Sequence, residues 1–282
     1  MVQVSQEPDS KGLYKCLGDC VSCAASQSTR IPVIWPQAIK SVEIDVGLQS
    51  LSETAEHTLK GIELFSALDE DQLATVESHC RWRLFASHQQ IIDRESSSRD
   101  VFFVISGKVR IVNYSYSGRG IILDELEAGN YFGELSAIDS QPRSARVISM
   151  DNSLIASLPQ KHFLKILEDH PKMTLKVMEH LSKMLRSATQ RIMELSTLGA
   201  NNRVHADLLR QAGDIDEDTK TAVIDPMPIH NDIASRVSTT RETVARIMND
   251  LARKGIVEKV DHSLLIKDVQ RLQDMVEEVR GE

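Results

Sequence analysis

The stretch from Gly129 to Ser136, GNYFGELS, followed at positions 142–145 by PRSA, offers a glycine-tolerant turn, a short helical start, one carboxylate and one guanidinium. Outward-facing N–H groups at a helix start stabilise an anion. A buried arginine gives a phosphate a bidentate, charge-assisted partner, and Arg143 supplies one. Glu134 repels a phosphate and suits a sugar hydroxyl instead. A cyclic nucleotide presents both features, one negative charge and a free ribose hydroxyl. Residue chemistry alone leaves a second reading open, in which Glu134 and Arg143 form an internal salt bridge.

A second constellation runs from Ile229 to Leu251. Ile233, Ala234 and Val237 are spaced to pack against Val244, Ile247 and Leu251, with Ser238 to Thr240 as the turn and helix start between them. This is the layout of a helix-turn-helix, whose second helix projects its first residues into a DNA groove. Arg241, Glu242 and Arg246 fall on its exposed face. Arginine reads guanine edges bidentately and glutamate accepts from cytosine N4. Thr240 and Thr243 are candidate phosphate contacts, which position without specifying. A third cluster, Cys16, Cys20 and Cys23 with the distant Cys80, has the donors for a soft metal or an iron-sulphur cluster. The alternative is an unstructured tail with incidental thiols and a buried Cys80.

These groups need a scaffold. Thr174, Met178, Leu181, Leu185, Ala188, Ile192 and Leu195 recur in alternating steps of four and three, the seam of a two-stranded coiled coil. No proline or glycine interrupts it after Pro171, so one helix of roughly 42 Å is expected from Pro171 to Leu198. Its other face is polar, so the seam is expected to meet a second copy of the chain; the alternative is a long core helix inside one subunit. Before it, helical spacing over Ser52 to Cys80, with a helix start at Leu68 to Asp71, gives way to short alternating apolar runs. These are Val101 to Ile105, Val109 to Val112, Ile121 to Leu126, Ala145 to Met150 and Ser153 to Leu158, separated by glycine turns. Strands of this kind without strand-helix-strand alternation predict an antiparallel barrel or jelly roll. A short helix over Lys161 to Glu168 follows them. After the long helix, residues 199–202 read as a hinge. Helices are then expected over Arg203 to Gln211, Ile229 to Arg236, Thr239 to Arg253 and Gln270 to Val279, with a wing at Asp261 and His262.

At 282 residues and a formal net charge of −8, the chain has room for two ordinary domains and no uniformly basic coat. No apolar run is long enough to span a bilayer, and the first ten residues lack signal-peptide character. The cytoplasm is the expected compartment, with no membrane partner. The histidines are scattered without metal-like spacing, and no constellation suggests an enzyme.

The segments FGELSA at 132–137 and QPRSARV at 141–147 resemble the phosphate-binding cassette of cyclic-nucleotide-binding domains. RETVAR at 241–246 is similar to the reading motif of the CRP/FNR family of bacterial transcription regulators, and the layout from about residue 55 to the end resembles that family throughout. The resemblance implies an α+β architecture: a cyclic-nucleotide-binding β-roll or jelly roll at 51–170, a dimerisation helix and hinge at 171–200, and a winged helix-turn-helix at 201–282. A cysteine-bearing extension occupies 1–50. It implies that Glu134 binds the ribose 2′-hydroxyl, that Arg143 with Ser144 binds the cyclic phosphate, and that Gly133, Leu135 and Ser136 complete the cassette. Ala188 and Thr189 match the positions that bond the adenine across the dimer in cyclic-AMP-responsive members. Loss of the first hydroxyl leaves cyclic AMP favoured, with cyclic GMP a close second. Arg241 and Arg246 would read guanine and Glu242 cytosine in a TGTGA-like half-site of an inverted repeat. The implied partners are a second copy (through Met178, Leu181, Leu185, Ala188, Ile192 and Leu195), double-stranded DNA and RNA polymerase, in activation or in repression. A redox- or metal-sensing regulator built on Cys16, Cys20, Cys23 and Cys80 is the competing expectation.

Overall fold

Eight short strands between Arg81 and Leu158 form two four-stranded sheets that enclose one apolar interior. They are β1 (Arg81–Phe85), β2 (Gln90–Ile92), β3 (Val101–Ser106), β4 (Lys108–Tyr114), β5 (Gly120–Glu127), β6 (Tyr131–Phe132), β7 (Arg146–Ser149) and β8 (Ser153–Leu158). The first sheet has the order β1-β8-β3-β6 and the second β2-β7-β4-β5, and the pairings are antiparallel. Phe85, Ile92, Val104, Val109, Leu126, Phe132, Val147 and Ile155 fill the space between them. The computed structural model describes residues 57–115, 118–216 and 218–280. The expected extension at 1–50, with Cys16, Cys20 and Cys23, lies outside the described residues.

The glycine turns and the five expected strands are present. Strands β1, β2 and β6 were not expected, because each is short and buries only one or two side chains. Helical spacing over Leu59 to Phe65 is corrected to a single 3-10 turn, Glu63–Phe65. Leu59, Ile62, Leu64 and Phe65 are all buried, yet Gly61 interrupts them and the adjacent Leu64 and Phe65 both face the core. Helix α1 (Glu70–Ser78) begins where expected, with a capping box between Asp69 and Gln72. A short helix, α2 (Glu134–Asp139), follows β6, and α3 (Gln160–Asp169) follows β8.

Helix α4 (Pro171–Thr197) is the long helix, with proline in its first turn. Met173 and Val177 are buried against the barrel core, and Leu181 is partly buried on the same cluster. Thr174 donates its hydroxyl to the Leu167 carbonyl at 2.6 Å. At the start of the expected seam, Thr174 bonds the preceding helix α3 and Leu181 packs partly on the core of its own chain. Met178, Leu185, Ile192 and Leu195 remain exposed.

The C-terminal unit packs α5 (Ala200–Gln211), α6 (His230–Arg236), α7 (Arg241–Arg253) and α8 (Val269–Arg280) around a three-stranded sheet. Its order is β10 (Val257–Val260), β11 (Ser263–Ile266), β9 (Ala222–Ile224). The four-residue hinge contracts to Leu198 and Gly199, because α5 already starts at Ala200. Arg203 fastens this corner, donating to the Leu198 carbonyl at 2.7 Å and the Val237 carbonyl at 2.9 Å. Arg210 pairs with Glu194 at 2.8 Å and Arg236 pairs with the buried Asp207 at 3.2 Å, tying the end of α4 to α5 and α6. Among the described residues, no helix is long and apolar enough to cross a membrane.

Candidate functional site

A cavity of about 340 Å³ opens between the barrel and α4. Its inner wall is the apolar barrel lining, including Ile92, Ile111, Leu126, Phe132 and Val147. Gly133, Glu134, Leu135, Ser136, Arg143 and Ser144, all expected from the cassette, line one part of it, and Ala188 lines the α4 side. Thr189 does not. Its hydroxyl donates to the Leu185 carbonyl at 2.9 Å on the exposed face of α4, so within one chain it points away from the cavity.

The local sequence dictates this cassette. Gly133 adopts φ +86° as the residue before α2, a left-handed conformation that favours glycine. The turn brings its carbonyl 2.8 Å from Nη1 of Arg143. Arg143 also donates through Nη2 to the Asp100 carbonyl at 2.6 Å and through Nε to Ser98 Oγ at 3.1 Å, and it lies over the Phe102 ring. Five N–H donors are available to a guanidinium. Two, one on each terminal nitrogen, are left for a further acceptor. Burial pushes the guanidinium below its usual value, against the pull of Asp100 and Glu134.

The internal salt bridge left open by the sequence is not formed: the donors of Arg143 go to backbone carbonyls and a hydroxyl. Glu134 is buried, and burial holds its carboxyl above the ordinary glutamate value despite its own backbone N–H and the nearby Arg143. A buried carboxylate of this kind favours a hydrogen-bond donor such as a hydroxyl.

Several cavity residues were not expected. Tyr131, buried at the base of the cassette, has a hydroxyl without a hydrogen-bond partner and a ring 4.8 Å from that of His180. His180, Met184, Ser187 and Arg191 of α4, and Asp124 of β5, complete the lining. Their signal was in the sequence: residues 180, 184, 187 and 191 share one helical face with Ala188, at the edge of the apolar seam that was read instead.

Cys80 is half-buried on the barrel core, and burial, with Glu77 nearby, pushes its thiol up to about 12. A thiol so hard to ionise is a poor nucleophile.

The DNA-reading elements match expectation closely. Thr240 caps α7, its hydroxyl accepting from the Thr243 N–H at 3.2 Å. Val244, Ile247, Met248 and Leu251 face the core, leaving Arg241, Glu242 and Arg246 exposed and Thr243 half-buried. Helix α7 starts two residues later than expected, since Thr239 and Thr240 form the cap. Ser238 takes φ +55° in the turn, the conformation that glycine adopts most easily. Asp261 and His262 form the tip of the β10–β11 hairpin, as the wing requires.

Two family models match: a cyclic nucleotide-binding domain over residues 82–170 and a Crp-like helix-turn-helix domain over residues 202–275. The cyclic AMP receptor protein of Thermus thermophilus is 26% identical over 222 residues, covering 77% of this chain and 98% of that protein. The cAMP-activated global transcriptional regulator Vfr of Pseudomonas aeruginosa is 26% identical over 184 residues, covering 64% of this chain and 86% of its own length. Among solved structures, a CooA mutant from Carboxydothermus hydrogenoformans superposes with a TM-score of 0.64 at 23% identity, covering 74% of this chain and 92% of that one, which supports the fold. With both family domains in this order, joined by the long helix, the chain belongs to the CRP/FNR family of DNA-binding transcription regulators and is not an enzyme.

Proposed function

We propose that the protein is a homodimeric transcription regulator switched by a cyclic mononucleotide, with cyclic AMP the favoured effector and cyclic GMP the second. The observation that carries this reading is the cavity itself. It sets an arginine with two spare donors and a buried carboxylate side by side on one wall, with α4 as the opposite wall. The cyclic phosphate takes the spare donors of Arg143 with Ser144, and the ribose hydroxyl donates to Glu134. The base then lies towards α4, beside Ala188 and Ser187. Thr189, on the outer face of α4, reaches a base only in a partner chain packed along the same helix, and this favours a dimer in which each copy closes the other's cavity.

The DNA reading rests on α7. Arg241 and Arg246 read guanine and Glu242 reads cytosine in a TGTGA-like half-site, while Thr240 and Thr243 hold phosphates. Two copies on a two-fold axis read an inverted repeat. RNA polymerase is the expected protein partner at a regulated promoter.

The test is calorimetry with each nucleotide, paired with DNA binding by the wild-type chain and by Arg143→Ala and Arg246→Ala. Arg143→Ala is expected to abolish the nucleotide response. Arg246→Ala is expected to weaken specific DNA binding by about 1–3 kcal/mol while leaving nucleotide affinity intact. Binding of neither nucleotide to folded protein removes the effector assignment.

A further inference from the structure

Three arginines rooted outside the DNA-binding unit end on its helix-turn-helix. Arg110 of β4 grips Asp232 of α6 with both terminal nitrogens, Nη1 to Oδ1 at 3.1 Å and Nη2 to Oδ2 at 2.6 Å. The two side chains are only 18% and 17% exposed, so this pair is largely shielded from water and salt. Arg119, just before β5, donates to the Ala234 carbonyl at 3.2 Å and to the Thr239 carbonyl. Arg191 of α4 donates to the Arg236 carbonyl at 2.6 Å. All the acceptors lie between residues 232 and 239, on α6 and the turn that launches α7. The carbonyls among them include orphan acceptors at a helix end, which suit a cation.

This docking bears directly on reading DNA. Thr240, the cap of the reading helix, and Arg241, its first residue, share a groove with Tyr114, Gly118 and Ile148 of the barrel. A duplex seated on Arg241 needs space beside α7 for the flanking phosphate strand, and here the barrel stands on that flank. Arg191 has a second role in the same arrangement. Its side chain lines the nucleotide cavity, and its Nη1 stands 3.5 Å from the Leu123 carbonyl of β5.

We propose that Arg110, Arg119 and Arg191 form a clasp that holds the reader docked on the barrel, and that Arg191 is the positioning residue through which the cavity's occupant opens it. The trigger rests on the nucleotide reading above; the clasp does not. An acceptor atom of a ligand in the cavity competes with the neutral Arg236 carbonyl for the donors of Arg191. Both bonds are charge-assisted from the arginine side, so the donors go to whichever acceptor is better aligned and better shielded from water, and a base lying against α4 inside the cavity meets both conditions. Reciprocity follows: whatever loosens the clasp tightens nucleotide binding by the same factor.

The test uses full-length Arg119→Gln and Asp232→Asn, neither in the nucleotide cavity, and Arg191→Met within it. Amide hydrogen exchange over residues 230–241 is measured in the absence of DNA, with and without cyclic AMP. Nucleotide-free Arg119→Gln and Asp232→Asn are expected to exchange about tenfold faster in this segment. On a duplex with an inverted TGTGA repeat, Arg119→Gln is expected to bind about tenfold tighter than wild type without nucleotide. Removing a positive charge weakens DNA binding by electrostatics alone, so this gain has no charge explanation. In Arg191→Met, exchange is expected to be fast already and cyclic AMP to change it less than about twofold. Unchanged exchange in both clasp variants overturns the clasp. Calorimetric binding of cyclic AMP to wild type without any change over residues 230–241 overturns the role of Arg191 while the nucleotide reading stands. Failure of cyclic AMP and cyclic GMP to bind sinks that reading and, with it, the trigger; the two clasp variants still decide the clasp.

Discussion

Gly133 and Arg143 are built against each other: the Gly133 carbonyl accepts from Arg143 Nη1 at 2.8 Å, and a Cβ on Gly133 would stand 2.7 Å from that same nitrogen. The Asp100 carbonyl, which holds the other terminal nitrogen, would be only 3.1 Å from it. A side chain here therefore meets two obstacles, the positive φ and the guanidinium. Gly133→Ala is expected to cost about 1–2 kcal/mol of stability from the backbone alone. It also displaces Arg143 from its seat, so nucleotide affinity is expected to fall by at least about tenfold. Thermal unfolding and calorimetry check both; wild-type nucleotide affinity in the alanine variant would show that Arg143 does not need this seat.

Glu134 carries a trade between stability and binding. Its carboxyl is held above the ordinary glutamate value by burial, so the fold favours the neutral form. The contribution is fully present below the unfolded-state value and is lost as pH rises through the folded one. In the nucleotide-free protein, burial therefore makes the charged form of this carboxyl costly. Glu134→Gln is expected to raise the unfolding temperature at pH 7 and to flatten the gain in stability on mild acidification. It is also expected to weaken cyclic nucleotide binding by about 1.5–3 kcal/mol, the worth of a hydrogen bond to a charged group. Loss of stability at pH 7 in this variant would contradict the burial argument.

The cassette and the reader were legible because each is local: Gly133, Glu134 and Arg143 lie within eleven positions, and Arg241, Glu242 and Arg246 within six. Their chemistry follows from residue type and helical spacing. What escaped is non-local. Asp124, Tyr131 and His180 join the cavity only because β5, β6 and α4 converge on it. The Arg110–Asp232 pair spans 122 positions of sequence, and neither residue differs in type from an ordinary surface charge. The long helix was legible from its spacing, but the share of its first turns that packs on its own chain, Met173 and Val177, was not. That division depends on where α4 leaves the core, which spacing alone does not encode.

His205 is a buried pH liability in the DNA-binding unit. It is 4% exposed, its Nδ1 has no hydrogen-bond partner, and burial, aided by Lys254, lowers its pKa from 6.5 to about 4. A depressed histidine contributes stability above its unfolded value, and that stability drains as pH falls towards the folded one. The window is pH 6.5 down to about 4, with a full cost of about 3 kcal/mol. His205→Phe keeps a ring in the site and removes the proton acceptor. Its acid unfolding is expected to lose most of this slope while stability at pH 7 changes by less than about 1.5 kcal/mol. An unaltered acid limb would place the sensitivity elsewhere.

The outer face of α4 sets the condition for every two-site function of the chain. Met178, Leu185 and Ile192, seven residues apart, are 58%, 69% and 63% exposed. Three large apolar side chains in line on one helix form a stripe that water disfavours and a second, identical stripe would cover. Leu185→Lys combined with Ile192→Lys puts two charges into that seam without touching the buried contacts of Met173 and Val177. The wild type is expected to sediment as a dimer and the variant, at the same concentration, as a single chain with its circular dichroism unchanged. Its affinity for an inverted repeat is expected to drop to that for one half-site, since the second reader is no longer tethered. Its nucleotide affinity is expected to fall as well, because Thr189 of a partner no longer approaches the base. A double-lysine variant that stays dimeric would locate the interface on another surface, and Thr189 would then have no role in the cavity.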